Sequence, residues 1–299
     1  MQLRNLGRSG LRVSLVGLGC NNFGGRIDLE ASRKVVHKAI DLGITLFDTA
    51  DTYGNFGGSE TCLGEILGAK RKDIVLASKF GMAMNAEGTI KGASRRYIMS
   101  EVEASLKRLK TDWLDLYQLH APDPLTPIEE TLRALDDLVR QGKVRYIGCS
   151  NLASWQVVEA QWTSRQLGLE SFVSAQDEYS LVVRHIDQEL IPALQAYDMG
   201  LLPFFPLASG LLTGKYKRNA PMPAGTRLTN TQRLADRFLT EANWQMAERL
   251  RADTPLRAHE YAEPALGLIF LKISYETFKK ADQEIKKTFT PSERPEPDR

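Results

Sequence analysis

The sequence predicts a (β/α)8 (TIM) barrel preceded by a β-hairpin, and three observations predict it. Seven strand-like runs alternate with segments of helical periodicity between residues 13 and 204, with no linker between them. The second to seventh runs end, in order, on Asp48, Lys79, His120, Ser150-Asn151, Gln176 and Phe204. In a barrel, strand ends converge on the rim where active sites lie. The alternative, a doubly wound dinucleotide sheet, lacks its signature: Gly17-x-Gly19 is followed by Gly24, not by a glycine three residues on.

In chain order, residues 2–15 read as the hairpin, with Ser9-Gly10 at its turn. Val13–Cys20 reads as a buried strand. Ala31, Val35, Val36, Ala39 and Ile40 have helical spacing. Strand 44–48 follows, then a helix expected to be capped by Ser59, then strand 73–79. Ile98, Val102, Leu106 and Leu109 mark one face of the next helix, before strand 114–120. Thr126-Pro127-Ile128-Glu129 predicts a helix start with Thr126 as cap, Pro127 in the first turn and Glu129 closing a capping box; Gly142 ends that helix. Strand 144–149 is followed by a helix with Ser154 as expected cap. Strand 171–176 precedes a helix carrying Ile186, Leu190, Ile191 and Leu194, and residues 200–204 form the seventh strand.

Bulk properties exclude several functions. The 299 residues are 42% hydrophobic and 25% charged, enough for a sizeable core. A formal net charge of +2 gives no case for nucleic acid, and no apolar run reaches membrane-spanning length. The N-terminal residues carry no signal-peptide h-region. Cys20, Cys62 and Cys149 are odd in number and far apart, which favours reduced thiols and a cytoplasmic setting. His37, His120, His185 and His259 show no metal-ligand spacing.

The rim residues suggest a chemistry. With Tyr53 beside Lys79, and Asp48 beside the lysine, the ammonium is expected to lower the tyrosine pKa towards neutrality. Tyr53 then serves as proton donor, while His120 orients a carbonyl oxygen. Such a site protonates an alkoxide but supplies no hydride. Ser150, Asn151 and Gln176 carry groups able to hold a carboxamide, and Phe204 offers a face for a flat ring. A Schiff-base role for Lys79 has no support beyond a lysine at a strand end.

These stretches resemble the aldo-keto reductases over residues 1–245. The matching words are Phe47-Asp48-Thr49-Ala50 with Tyr53-Gly54, Ser78-Lys79, Leu119-His120 with Pro122-Asp123, Gly148-Cys149-Ser150-Asn151, Gln176 through Ser180, and Pro206 through Lys215. The resemblance implies NADPH-dependent reduction of a small-molecule aldehyde or ketone by a tetrad of Asp48, Tyr53, Lys79 and His120. It also implies that Ser150, Asn151 and Gln176 hold the nicotinamide carboxamide, that Phe204 stacks on the ring, and that the loop containing Leu207 and Lys215 lies along the pyrophosphate. A non-catalytic nucleotide sensor or channel-associated subunit is the competing role.

After Ala252 the family's last helix, eighth strand and adenosine-phosphate clamp are not recognisable. The barrel is therefore expected to be incomplete at its C-terminus and to hold NADPH poorly. A weakly folded, inactive product of gene rearrangement is the bland alternative. Residues 250–278 are similar to the N-terminal helical region of type I restriction-modification methyltransferase subunits, through Leu-Arg-Ala, His259-Glu260-Tyr261-Ala262 and Leu266 to Lys272. No methyltransferase catalytic motif accompanies them. The expected organisation is a barrel over 1–245, a helical segment over 250–289 with an apolar face from Ala265 to Ile273, and a disordered tail over 290–299.

Overall fold

A computed structural model of the chain describes residues 1–252. The expected apolar helix of the 250–289 segment and the expected tail lie outside the described residues. The chain divides into two compact units, Met1–Pro206 and one beginning at Leu207.

The first unit opens with the hairpin of β1 (Leu3–Asn5) and β2 (Arg12–Ser14), paired antiparallel with Leu3 opposite Ser14. Ser9 closes the turn: its hydroxyl donates to the Leu6 carbonyl at 2.6 Å and accepts from the Leu11 amide at 3.2 Å. Seven parallel strands follow: β3 (Gly17–Gly19), β4 (Leu46–Asp48), β5 (Val75–Phe80), β6 (Leu114–Leu119), β7 (Val144–Ser150), β8 (Ser174–Glu178) and β9 (Gly200–Phe204). Their order in the sheet is their order in the chain. A doubly wound sheet would reverse direction partway, so that alternative is excluded. Gly17-x-Gly19 is the strand β3 itself, not a strand-to-helix phosphate turn.

The sheet is curled. Leu46, Ala77 and Leu116 from β4, β5 and β6 share one core cluster with Leu6, Leu11 and Val13 of the hairpin. Tyr146, Val173 and Leu202, from the far side of the sheet, pack on the same cluster. In a flat sheet β4 and β8 would stand roughly 19 Å apart, yet Gln176 on β8 donates to Asp48 on β4 at 3.0 Å. Among the described residues β3 and β9 each pair on one side only. The architecture is that of an incomplete TIM barrel.

Between the strands run α1 (Leu29–Asp41), α2 (Tyr53–Leu67), α3 (Arg95–Leu109), α4 (Ile128–Arg140), α5 (Ser154–Leu167) and α6 (Leu190–Ala196). The predicted apolar positions on α3, Ile98, Val102, Leu106 and Leu109, are buried. Asp28 and Ser94 cap α1 and α3 through their side chains.

Three expected caps are corrected. Ser59 lies inside α2, where its hydroxyl donates to the Cys20 carbonyl and meets the Thr49 hydroxyl, each at 2.8 Å. Pro127, not Thr126, is the N-cap of α4; Thr126 instead donates to Asp123 at 2.7 Å. Ala153 precedes α5, so Ser154 is its first residue, and the cap consists of the Ala153 amide donating to Gln156 at 2.9 Å. For Ser59 and Thr126 a nearby tertiary or local partner took the polar side chain that the sequence offered to a helix end.

The second unit contains a 3-10 turn over Ala208–Thr213, then α7 (Arg227–Asn230), α8 (Gln232–Phe238) and α9 (Glu241–Ala252). Among the described residues no helix is long and apolar enough to cross a membrane.

Candidate active site

Strand register brings the predicted groups together. Along β5 and β6, alternation aims Ala77 and Lys79, and Leu116 and Gln118, at the barrel interior. Asp48 ends β4 on the same face. Its Oδ2 accepts from the Lys79 ammonium at 2.7 Å, and its Oδ1 accepts from Gln118 at 3.1 Å and Gln176 at 3.0 Å. The Lys79 ammonium also donates to the Thr49 carbonyl at 2.9 Å and to the Tyr53 hydroxyl at 3.4 Å. The Tyr53 hydroxyl stands 3.5 Å from Nε2 of His120, with the two rings edge to face. All four residues of the expected tetrad thus form one connected group.

Tyr53 is carried by an unusual turn. Gly54, Asn55, Phe56 and Gly57 all have positive φ, between 61° and 106°. A left-handed conformation costs about 1–2 kcal/mol for each residue that bears a Cβ. At Gly54 the space is also closed: a Cβ there would lie 2.4 Å from the Phe23 carbonyl oxygen and 2.6 Å from the Ser59 nitrogen.

Electrostatics correct one expectation. Burial opposes the charge on Lys79, whose side chain is wholly inaccessible, but Asp48 and Tyr53 outweigh burial and hold its pKa above the usual lysine value. Burial also dominates at Tyr53. It raises the phenol's pKa despite the opposing pull of Lys79, so the tyrosine is less acidic than usual, not more. Its proton therefore stays on oxygen throughout the neutral range. His120 is pushed down to about 3, first by burial and then by Lys79, and is a neutral imidazole. Its Nδ1 is buried without a partner. A lone pair is left unpaired at lower cost than an N–H, which favours the tautomer with the hydrogen on Nε2, facing Tyr53.

The expected carboxamide holders form a second connected group. The Ser150 hydroxyl donates to the Gln176 carbonyl at 2.8 Å. The Asn151 amide donates to Ser150 at 2.9 Å and to the His120 carbonyl at 3.0 Å. Asn151 thereby keeps its oxygen for another donor, and Gln176 spends one of its two amide hydrogens on Asp48. That donor and acceptor capacity fits a carboxamide. Phe204, at the end of β9, is half-buried and packs edge to face on Phe205 at 5.3 Å. Leu207 and Lys215 belong to the second unit. There Ala208, Ser209 and Gly210 have three consecutive positive φ values, the Ser209 hydroxyl is buried without a partner, and a Cβ at Gly210 would come 2.8 Å from the Lys215 ammonium. An unpartnered hydroxyl at Ser209 and an ammonium lying against the next residue, Gly210, are groups that suit a phosphate oxygen.

Sequence reading missed Gln118, which is fully buried and donates to Asp48. The signal was available: Gln118 lies two residues before His120, and opposite Lys79 in the β5–β6 register. Among the described residues no cluster of His, Cys, Asp and Glu could hold a metal, and all three cysteines are free and buried.

Comparison with known proteins finds a family and several relatives. A family model for the aldo/keto reductase family matches residues 15–265. A probable voltage-gated potassium channel subunit beta from Oryza sativa subsp. japonica is 38% identical over 247 residues, covering 81% of this chain and 75% of that protein. The uncharacterized oxidoreductase YrpG of Bacillus subtilis (strain 168) is 39% identical over 237 residues, covering 76% and 72%. A putative subunit of the same channel type from Schizosaccharomyces pombe is 39% identical over 238 residues, covering 76% and 67%. The family match runs past residue 252, where the sequence reading had ended it, into the stretch compared with restriction-modification subunits; that second resemblance finds no support.

Proposed function

Since the chain belongs to the aldo/keto reductase family, and is thereby an NAD(P)H-dependent, carbonyl-reducing oxidoreductase, we propose that it reduces a small-molecule aldehyde or ketone with NADPH and that Tyr53 donates the proton. The observation that carries the reading is the connected group of Asp48, Tyr53, Lys79 and His120. NADPH, when bound, supplies a hydride to the carbonyl carbon. Tyr53 gives its hydroxyl proton to the carbonyl oxygen as negative charge builds there, leaving a phenolate that the Lys79 ammonium stabilises. His120, neutral and with its hydrogen on Nε2, donates to the same oxygen and orients it. Asp48 keeps Lys79 charged and in place. Ser150, Asn151 and Gln176 hold the carboxamide and Phe204 supports the ring; in the second unit, Leu207 and Lys215 are the groups offered to a phosphate. The three free buried thiols accord with a cytoplasmic setting.

A raised phenol pKa suits the reductive direction. The acid is fully protonated at neutral pH, and the acceptor in the transition state is an alkoxide-like oxygen more basic than phenolate. The test is turnover of 4-nitrobenzaldehyde with NADPH. Tyr53→Phe is expected to lower kcat by about 10²- to 10⁴-fold while leaving NADPH fluorescence quenching intact. Equal turnover by the two proteins would remove Tyr53 from the reaction.

A second reading is a non-catalytic nucleotide sensor or channel-associated subunit; the names of the rice and fission-yeast relatives, potassium channel beta subunits, favour the channel role alone. It expects nucleotide binding without measurable turnover in the unsubstituted chain.

A further inference from the structure

Between the outer face of β5 and β6 and helices α2 and α3 lies an ionic cluster that the reaction does not use. It holds three buried carboxylates, Asp51, Glu60 and Glu101, and one half-buried guanidinium, Arg108. Buried ion clusters add little stability over apolar packing of the same volume. What they do supply is direction, because each hydrogen bond fixes a position.

The positions fixed here flank Tyr53. Two residues before it, Asp51 accepts from the Thr52 amide at 2.6 Å and from the Tyr97 hydroxyl of α3 at 3.4 Å. Four residues after it, Gly57 lies directly on Arg108 of α3: a Cβ on Gly57 would stand 2.6 Å from Cδ and 2.9 Å from Nε of that side chain. Arg108 is itself held from three sides, by Glu60 at 2.7 Å, by Ser105 at 3.2 Å and by Glu101. Glu60 also accepts from the Ser78 hydroxyl at 2.5 Å, and Ser78 is the neighbour of Lys79. One carboxylate therefore links the residue beside Lys79 to the arginine beneath the turn that carries Tyr53.

We propose that helix α3 is a clamp that positions Tyr53 against Lys79, gripping its left-handed turn through Tyr97 on one side and Arg108 on the other. Neither residue touches the tetrad, so both are positioning residues. The left-handed run from Gly54 to Gly57 makes a clamp necessary: a turn of this kind relaxes when nothing outside it holds it.

The test is Arg108→Ala, read in two ways. Amide hydrogen exchange does not depend on the proposed reaction. The Tyr53 and Phe56 amides, bonded to the Ala50 and Thr52 carbonyls, are expected to exchange about tenfold faster, with β6 and β7 unchanged. The kinetic readout rests on the reductase reading. With NADPH and 4-nitrobenzaldehyde, kcat is expected to fall about 10- to 100-fold at nearly constant KM for NADPH, and the deuterium isotope effect on hydride transfer should rise. Arg108→Lys should restore part of the rate. Should Arg108→Ala fail to fold, Glu101→Gln keeps the Glu60 contact and should shift both readouts in the same direction by a smaller amount.

Exchange that accelerates evenly across the sheet would overturn the clamp. So would a lower kcat with an unaltered isotope effect, since that reports only a smaller folded fraction. A chain with no turnover at all would defeat the reductase reading, while the exchange pattern would still decide the clamp.

Discussion

Asp48 holds most of the site's geometry on two oxygens. It accepts from Lys79, Gln118 and Gln176, and the lysine it neutralises is wholly buried. Asp48→Asn replaces an acceptor with an amide whose hydrogens face an ammonium. Because it leaves a buried charge uncompensated, it is expected to cost about 3 kcal/mol, measured by urea unfolding, and to lower turnover further in the folded fraction. A loss below about 0.5 kcal/mol, the range of ordinary surface substitutions, would contradict the geometry. Most of this was legible in the sequence. Asp48, Lys79 and His120 each lie within one residue of a strand's C-terminal end, and that end in a barrel has one destination. The acidity of Tyr53 was not legible, because a sequence shows the neighbouring lysine but not the burial that outweighs it.

At the scale of elements, alternation on β8 sends Gln176 inward and Asp177 to the opposite face. Asp177 is buried there, with Oδ2 unpartnered, and burial alone pushes its pKa up to about 7. The unfolded chain releases that proton near pH 3.9. Between those values the folded state binds more protons than the unfolded state, so stability falls as pH rises, by up to about 1.4 kcal/mol per unit. Asp177→Asn cannot titrate. The stability difference between variant and parent is therefore expected to grow in the variant's favour from about pH 4 to pH 7, and then level off. Paired denaturation curves across that range measure it, and a difference independent of pH would refute it. The strands and buried helix faces were legible because hydrophobic period decides them. The cap of α4 and the interior place of Ser59 were not, because a local partner, Asp123, and the more distant Cys20 and Thr49 compete for those side chains.

At the scale of the whole molecule, the prediction concerns cofactor retention. The adenosine-phosphate clamp of the family is not recognisable in the sequence, so NADPH and NADP⁺ are expected to bind with dissociation constants above about 1 μM. At about 100 μM NADP⁺ the stabilisation then stays below about 2.7 kcal/mol, a rise in melting temperature of roughly 10 °C at most. A melt that does not move at all would speak against cofactor binding. A larger rise would speak against weak retention.

The Asp48 carboxylate has a consequence for how the protein acquires its function. It gathers donors from β5, β6 and β8, so the reaction centre has no existence in any fragment, nascent stretch or half-docked intermediate that lacks one of those strands. The centre is whole only where β8 meets β4, with Gln176 on the Asp48 carboxylate.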